Sequence, residues 1–284
     1  MKVALTGATG FIGSHILAEL REHGHQVTAL VRDDAQADIA SANGATPKVV
    51  DLFDRSAVAS AFGQADAAVH TANPGDATSE ELDAAVVDGA IDAFAGTGRP
   101  YVHISGVWIY GNNLAITEES PNQAPALVAW RKPIESKVIE ATGMRGVVLV
   151  SSVAYGDGGG AVPGVLLGSP RDPAGNLITI GTGQQHWSTV HVVDLADVFR
   201  RALENDSASG HYIVGDGVNP DRRRAHQRRR RCRCRAGCGG RFRRRGAGEA
   251  WGLLRRGPVA RSRHVRESGT ERTRLAAVAP DPGR

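Results

Sequence analysis

The stretch TGATGFIG, Thr6 to Gly13, restricts what this chain can fold into more than any other part of it. It follows MKVAL, a short apolar run that reads as a buried strand. It opens FIGSHILAELREHGH, where Ile12, Ile16, Leu17 and Leu20 recur at helical spacing before Gly24 ends the helix. In a strand–turn–helix setting each glycine has a task. Gly7 permits the tight turn, Gly10 lets the backbone approach a pyrophosphate, and Gly13 lets the helix pack closely on the strand. The helix N-terminus then presents unpaired N–H groups to the phosphates. Thr9, Phe11 and Ile12 fall in the same turn and join the expected contacts to a dinucleotide. A glycine-rich turn without a ligand is the alternative, disfavoured because the context matches at every position.

The rest of the first half alternates in the same way. QVTALVR reads as a second strand, ADIASANG as a short helix closed by Gly44, and TPKVVDL as a third strand before a helix from Asp54 to Phe62. DAAVHTA is a fourth strand, SEELDAAVVDGAIDAFAGTG a long helix with an acidic first turn, and YVHIS a fifth strand. PALVAWRKPIESKVIEATG then reads as a helix and RGVVLVSS as a sixth strand. Short apolar strands alternating with helices predict an α/β fold, a Rossmann doubly wound parallel sheet over residues 1–152. Beyond Ser152 the pattern loosens. Glycines from Gly156 to Gly160, a strand near Leu177–Ile180 and a helix from Val193 to Glu204 predict a small substrate-binding region over 153–220, interleaved with the core.

The end of the second strand selects the ribose. An acid there bonds the 2′-hydroxyl of NAD, whereas a nearby arginine accepts the 2′-phosphate of NADP. Here the strand ends LVRDD: Val31 stands about 18 residues after Gly13, where the acid usually does, and Arg32 follows. NADP is therefore the expected cofactor, with NAD the other candidate. A solvated Arg32 paired with Asp33 or Asp34 is the competing reading.

The net charge of +4 hides a division. Residues 1–220 hold 13 Lys and Arg against 25 Asp and Glu, while residues 221–284 hold 21 Arg, no Lys and 5 acids. All three cysteines lie in that basic tail, so disulfides and cysteine-based metal sites are excluded from the body, and no metal is expected there. No secretory signal and no apolar run of membrane-spanning length is visible. The expectation is a cytoplasmic enzyme or binding protein with a small-molecule substrate and no membrane partner; a homodimer is a candidate assembly.

With these motifs in order, the chain resembles the short-chain dehydrogenase/reductase superfamily in its extended or atypical form, the NAD-dependent epimerase/dehydratase family, from residue 1 to about 219. The glycine turn resembles the family's nucleotide motif. VVDLFD resembles the third-strand segment, which implies that Asp51 and Leu52 contact adenine. AAVHTA resembles the fourth-strand motif, implying that His70, Thr71 and Ala72 line the cofactor. YVHISGVWIYG resembles the segment that supplies the active-site serine, here Ser105, which would orient the substrate oxygen. VVLVSSVAYGDGGG resembles the loop near the nicotinamide, and HWSTVHVVDLADVFRRALE the segment in which Val190, His191 and Asp194 link the substrate region to the core. The family's usual chemistry is hydride transfer between NAD(P) and a carbinol or carbonyl carbon, with a tyrosine moving the proton under the influence of a nearby lysine.

That Tyr-x-x-x-Lys pair is missing. None of Tyr101, Tyr110, Tyr155 and Tyr212 has lysine four residues on. Aligned by its apolar face, AWRKPIESKVIEA puts Arg131 at the tyrosine position and Glu135 at the lysine position, as in atypical members. Arg131 cannot donate a proton near neutrality, since its pKa exceeds about 12. One helical turn apart, Arg131 and Glu135 are expected to form an ion pair worth a few tenths of a kcal/mol. Tyr110, five residues after Ser105, remains a catalytic candidate, with a packing role as its alternative; His70 and His191 titrate near neutrality. Lys137 points to another face.

The tail from Arg222 to Arg245 reads RRRAHQRRRRCRCRAGCGGRFRRR. A nucleic-acid arm would use these arginines on phosphates, but interleaved aromatics are limited to Phe242 and Trp251. A zinc site from Cys232, Cys234, Cys238 and His226 would have an unusual spacing. A solvated disordered tail fits the composition. The preferred reading is a shift of frame from about Asp221: arginine without lysine, with Gly, Ala, Pro and Cys, is what GC-rich codons give when misread. On that reading nucleic acid is not a partner; a genuine tail would restore it.

Two functions are then expected. One is an NAD(P)-dependent oxidoreductase or epimerase-like enzyme acting on a small carbonyl or sugar-nucleotide-like substrate. The other is a non-catalytic NAD(P)-binding sensor or regulator that has lost the dyad.

Overall fold

The computed structural model describes residues 1–160, 172–175 and 186–217. The strand expected near Leu177–Ile180 and the arginine-rich tail lie outside the described residues. The first half runs β1 (Lys2–Thr6), α1 (Phe11–Glu22), β2 (Gln26–Val31), α2 (Asp34–Ala42), β3 (Thr46–Val49), α3 (Arg55–Phe62), β4 (Ala67–His70), α4 (Ser79–Phe94) and β5 (Pro100–Gly106). Short 3₁₀ turns at Val107–Tyr110 and Ala126–Val128 lead to α5 (Arg131–Glu140), β6 (Arg145–Ser151), β7 (Val153–Gly156) and β8 (Gly159–Gly160). The chain then gives β9 (Thr189–His191), α6 (Val192–Glu204) and β10 (Gly210–Val214).

Seven strands form one sheet in the order β3-β2-β1-β4-β5-β6-β10, and every pairing in it is parallel. Parallel strands need crossover helices, which cover both faces. On one face α1, α2 and α6 bury Leu5, Leu17, Leu20, Leu149, Leu195 and Phe199. On the other, α3, α4 and α5 bury Phe62, Val86, Phe94, Tyr101, Val138 and Val148. The strand order reverses between β1 and β4, so a crevice opens beyond their C-terminal ends, where ligands bind in open sheets of this kind. A second, three-stranded sheet, β8-β7-β9, follows β6 in the chain.

One expectation changes. The helix read from Pro125 onward starts only at Arg131, because Pro133 has no N–H to give to the carbonyl of Ala129 and is tolerated only in a first turn. The upstream residues form a 3₁₀ turn instead. The segment after residue 152 also contributes to the main sheet: β10 pairs along β6 from Gly210↔Val147 to Val214↔Ser151, and Arg200 of α6 reaches Glu19 of α1 at 2.9 Å. Residues 192–214 thus pack onto the main sheet and its helical layer. Among the described residues, no helix is long and apolar enough to cross a membrane.

Candidate active site

The glycine turn has the geometry its sequence requires. Gly7 has φ +73°, and a Cβ there would stand 2.7 Å from the amide nitrogen of Ala72. Gly10 donates its N–H to the Gly7 carbonyl at 2.9 Å. A Cβ on Gly13 would fall 1.9 Å from that same carbonyl oxygen, so only glycine lets α1 come down on the turn. Gly10 is the N-cap and no side chain caps α1, which leaves its first N–H groups for an anion. A cradle that a single Cβ would fill, with an uncapped helix behind it, fits a pyrophosphate. Phe11 lies against Gly159 and Gly160 of β8, so the small sheet reaches the mouth of this turn. His15, one turn along α1, holds Asp157 of the same hairpin at 2.9 Å.

The neighbouring strand ends supply the remaining expected contacts. Val31 is buried, and Arg32 stands outside it with its side chain 78 % exposed, its Nε 3.1 Å from Asp33. Asp33 caps α2 through Gln36, which fixes the backbone beneath Arg32. Asp51 accepts the N–H of Phe53 in a tight turn, and Leu52 packs against the second apolar layer. Thr71 and Ala72 both point their N–H groups at Thr6 Oγ1, at 3.2 and 3.3 Å.

His70 ends β4 with its side chain turned inward. Its ring is 1 % exposed and turns into a buried polar network under α4. The Thr6 hydroxyl donates to Nδ1 at 2.6 Å, and Nε2–H donates to Asp83 Oδ1 at 2.9 Å. Asp83 also faces Nε2 of His103 and Nη1 of Arg131, each at 3.7 Å. Burial pushes the Asp83 carboxyl up, but the His70 hydrogen bond and the surrounding imidazoles and guanidinium outweigh it and hold the group below its usual value. Burial drives the His103 imidazole down to about 3, so it is neutral at physiological pH. Tyr101 donates to its Nδ1 at 3.3 Å.

Ser105, next to last in β5, donates its hydroxyl to Glu135 Oε1. The other carboxylate oxygen, Oε2, lies 3.1 Å from His211 Nε2 on β10. The expected Arg131–Glu135 ion pair is therefore corrected. Arg131 stacks on Trp130, 4.5 Å from the ring centroid, and turns to Asp83, while Glu135 turns to Ser105 and His211. Glu135 is as buried as Asp83, but its two oxygens are already met by Ser105 and His211, which leaves the guanidinium to the carboxylate on α4. Tyr110 is buried among packing residues, and burial together with Glu135 and Glu118 pushes its phenol up to about 12. That direction works against the proton-donor role expected for it. His191 caps α6 and packs edge-on against Tyr155, and Lys137 holds Asp88 at 2.9 Å. Asp83, His103 and His211 were not singled out from sequence. They share the site only because α4, β5 and β10 meet there, and no local spacing signals that.

A parallel sheet whose order reverses beside a glycine cradle defines a dinucleotide-binding α/β protein of the Rossmann type. Residues 3–215 match the NAD dependent epimerase/dehydratase family, and the chain belongs to that family. Similar proteins include the uncharacterized protein C2A9.02 of Schizosaccharomyces pombe, 30% identical over 226 residues that cover 77% of this chain and 76% of that one. The epimerase family protein YfhF of Bacillus subtilis is 30% identical over 238 residues, 74% of this chain and 72% of its own. Among solved structures, the UDP-glucose 4-epimerase of Thermus thermophilus in complex with NAD superposes with a TM-score of 0.63 at 25% identity, covering 80% of this chain and 81% of that one.

Proposed function

We propose that the protein is an oxidoreductase that uses NADP(H) in preference to NAD(H) and transfers hydride to or from a small carbonyl or sugar-nucleotide-like substrate. The observation that carries this reading is the cradle at Gly7, Gly10 and Gly13, closed on one side by the end of β4. When bound, the nicotinamide cofactor supplies the hydride donor or acceptor. The chain's own residues do the rest. The α1 amides and Gly10 hold the pyrophosphate, Arg32 leaves Asp33 for a 2′-phosphate, and Thr71 and Ala72 line the crevice. Ser105 orients the substrate oxygen.

Arg131 and Glu135 in place of the usual pair favour a second reading, a non-catalytic sensor of the cofactor's redox state. One experiment separates the two. NADPH and NADH binding is titrated by fluorescence, and oxidation of each is followed with a panel of aldehydes, ketones and UDP-sugars. The oxidoreductase reading expects tighter NADPH binding and turnover with part of the panel. Binding with no oxidation of either cofactor supports the sensor.

A further inference from the structure

Glu135 is a buried carboxylate that makes no ion pair with lysine or arginine among the described residues. The nearest cations in sequence are engaged elsewhere, Arg131 facing Asp83 and Lys137 holding Asp88. Its oxygens meet a hydroxyl and an imidazole instead: Ser105 donates to Oε1, and His211 Nε2 stands 3.1 Å from Oε2. A carboxylate out of water needs a counter-charge or hydrogen bonds to stay ionised. Among the described residues, the only partner able to bring it a charge is an imidazole, a group that titrates near neutrality. The His211 side chain is 31% exposed. An unbroken polar line thus runs from the hydroxyl at the C-terminal end of β5, through a dry carboxylate on α5, to a solvent-touching imidazole on the edge strand β10.

We propose that Ser105, Glu135 and His211 form a proton relay that replaces the absent tyrosine and lysine; the proposal rests on the oxidoreductase reading. In alcohol oxidation, the substrate's C–H electron pair leaves as hydride to the oxidised nicotinamide while its O–H proton passes to Ser105 Oγ. The serine's own proton moves along its existing hydrogen bond to Glu135 Oε1. The carboxyl turns about its terminal bond and gives the proton to the unprotonated Nε2 of a neutral His211, and the imidazolium so formed loses a proton to solvent. The products are a carbonyl, a nicotinamide reduced by two electrons and one proton in water; carbonyl reduction runs the same path in reverse. Ser105 is the catalytic residue, and Glu135 and His211 are positioning residues that act through it.

The groups around His211 suit this task. Glu135 faces it from α5, and Glu118 comes from the preceding loop, where it accepts the N–H of Ile213 at 3.2 Å. His103 lies in the same row of the sheet across β6 and stays neutral, and Tyr110 beyond Glu135 stays protonated. Among the described residues no competing base stands between His211 and Ser105.

Wild type, Glu135→Gln and His211→Asn are compared as NADP⁺ reductases with 2-propanol, cyclohexanol and UDP-glucose between about pH 5 and 9, with His211 titrated by NMR in the same preparations. Glutamine keeps the size and an acceptor for Ser105 but takes no proton. In Glu135→Gln, kcat is expected to fall about 100-fold and the His211 titration midpoint to drop. In His211→Asn, the acidic limb of the kcat profile disappears. NADP⁺ affinity stays within about twofold of wild type in both, because neither residue touches the glycine cradle. Should Glu135→Gln fail to fold, His211→Asn on the edge strand decides the matter by its pH profile. If wild type turns over and the variants keep its rate and pH profile, or the His211 midpoint does not move, the relay is overturned while the oxidoreductase reading stands. If wild type binds NADP⁺ and oxidises none of the three donors, that reading fails and the relay falls with it.

Discussion

The hydroxyl of Thr6, the last residue of β1, stands 2.6 Å from Nδ1 of His70, the last residue of β4. The same oxygen receives the N–H groups of Thr71 and Ala72, so one side chain fixes both strand ends that flank the crevice. Thr6→Val keeps the shape and removes every one of these bonds. It is expected to cost about 1–3 kcal/mol in urea unfolding, the penalty of leaving buried polar groups unpaired. Because the β4 end then loosens against Gly7, NADPH affinity measured by fluorescence should fall as well.

Gly13→Ala tests the cradle itself. The added methyl would sit 1.9 Å from the Gly7 carbonyl oxygen, and that neighbour is backbone, so α1 must lift. The expected result is a loss of about 1–3 kcal/mol of stability, as for other overpacked sites, with NADPH binding weakened by more than about tenfold. Gly24→Ala is the control. It also has a left-handed φ of +77° and is strained, but it meets nothing within 4 Å and lies at the far end of α1, so it should leave the affinity alone.

The buried imidazole of His103 gives stability a pH dependence whose sign is fixed by its depressed pKa. The unfolded chain takes up a proton near pH 6.5, while the folded one refuses it until about 3. Protons are therefore bound preferentially by the unfolded state across that interval, and stability falls as pH drops through it. Asp83, also held below its usual value, adds a loss of the same sign, but only once pH falls below about 4. Urea midpoints at pH 7, 6, 5 and 4.5 should decline steadily in wild type. In His103→Gln, which stays neutral throughout, the slope over this range should flatten.

Much of this architecture is legible because its signals are local. Three glycines at fixed spacing, a helical stripe from Ile12 to Leu20 and a valine-rich β6 each declare themselves within a dozen residues. β10 does not. GHYIV is five residues long, mixes His and Tyr with Ile and Val, and is a strand because β6, some sixty residues earlier, offers an open edge. The candidate site divides in the same way. Ser105 and the odd pair Arg131 and Glu135 are visible once the segment is aligned with its family. Their partners are not, since Asp83, His103 and His211 reach them through the sheet rather than along the chain. The helical-neighbour rule paired Arg131 with Glu135, and tertiary charge overrode it.

The proposed preference for NADP(H) over NAD(H) turns on Arg32. Its guanidinium is exposed and tied to Asp33, a surface pair worth less than about 1 kcal/mol, so a 2′-phosphate can displace it. Arg32→Ala should weaken NADPH binding by about tenfold or more, in line with the loss of a charged hydrogen bond. NADH affinity, which has no phosphate at that place, should change by less than about twofold. Equal losses for both cofactors would assign Arg32 to folding of the β2–α2 turn instead.

The central claim, that this chain transfers hydride, is tested most directly by following the atom itself. Purified protein is incubated with NADPH carrying deuterium at the transferable nicotinamide position and with a mixture of aldehydes and ketones, and the alcohols are analysed by mass spectrometry. The account predicts an alcohol one mass unit heavier, formed at a rate that collapses in Glu135→Gln. Deuterated NADPH that binds tightly yet never yields its label would contradict it and leave a protein that senses the cofactor without using it.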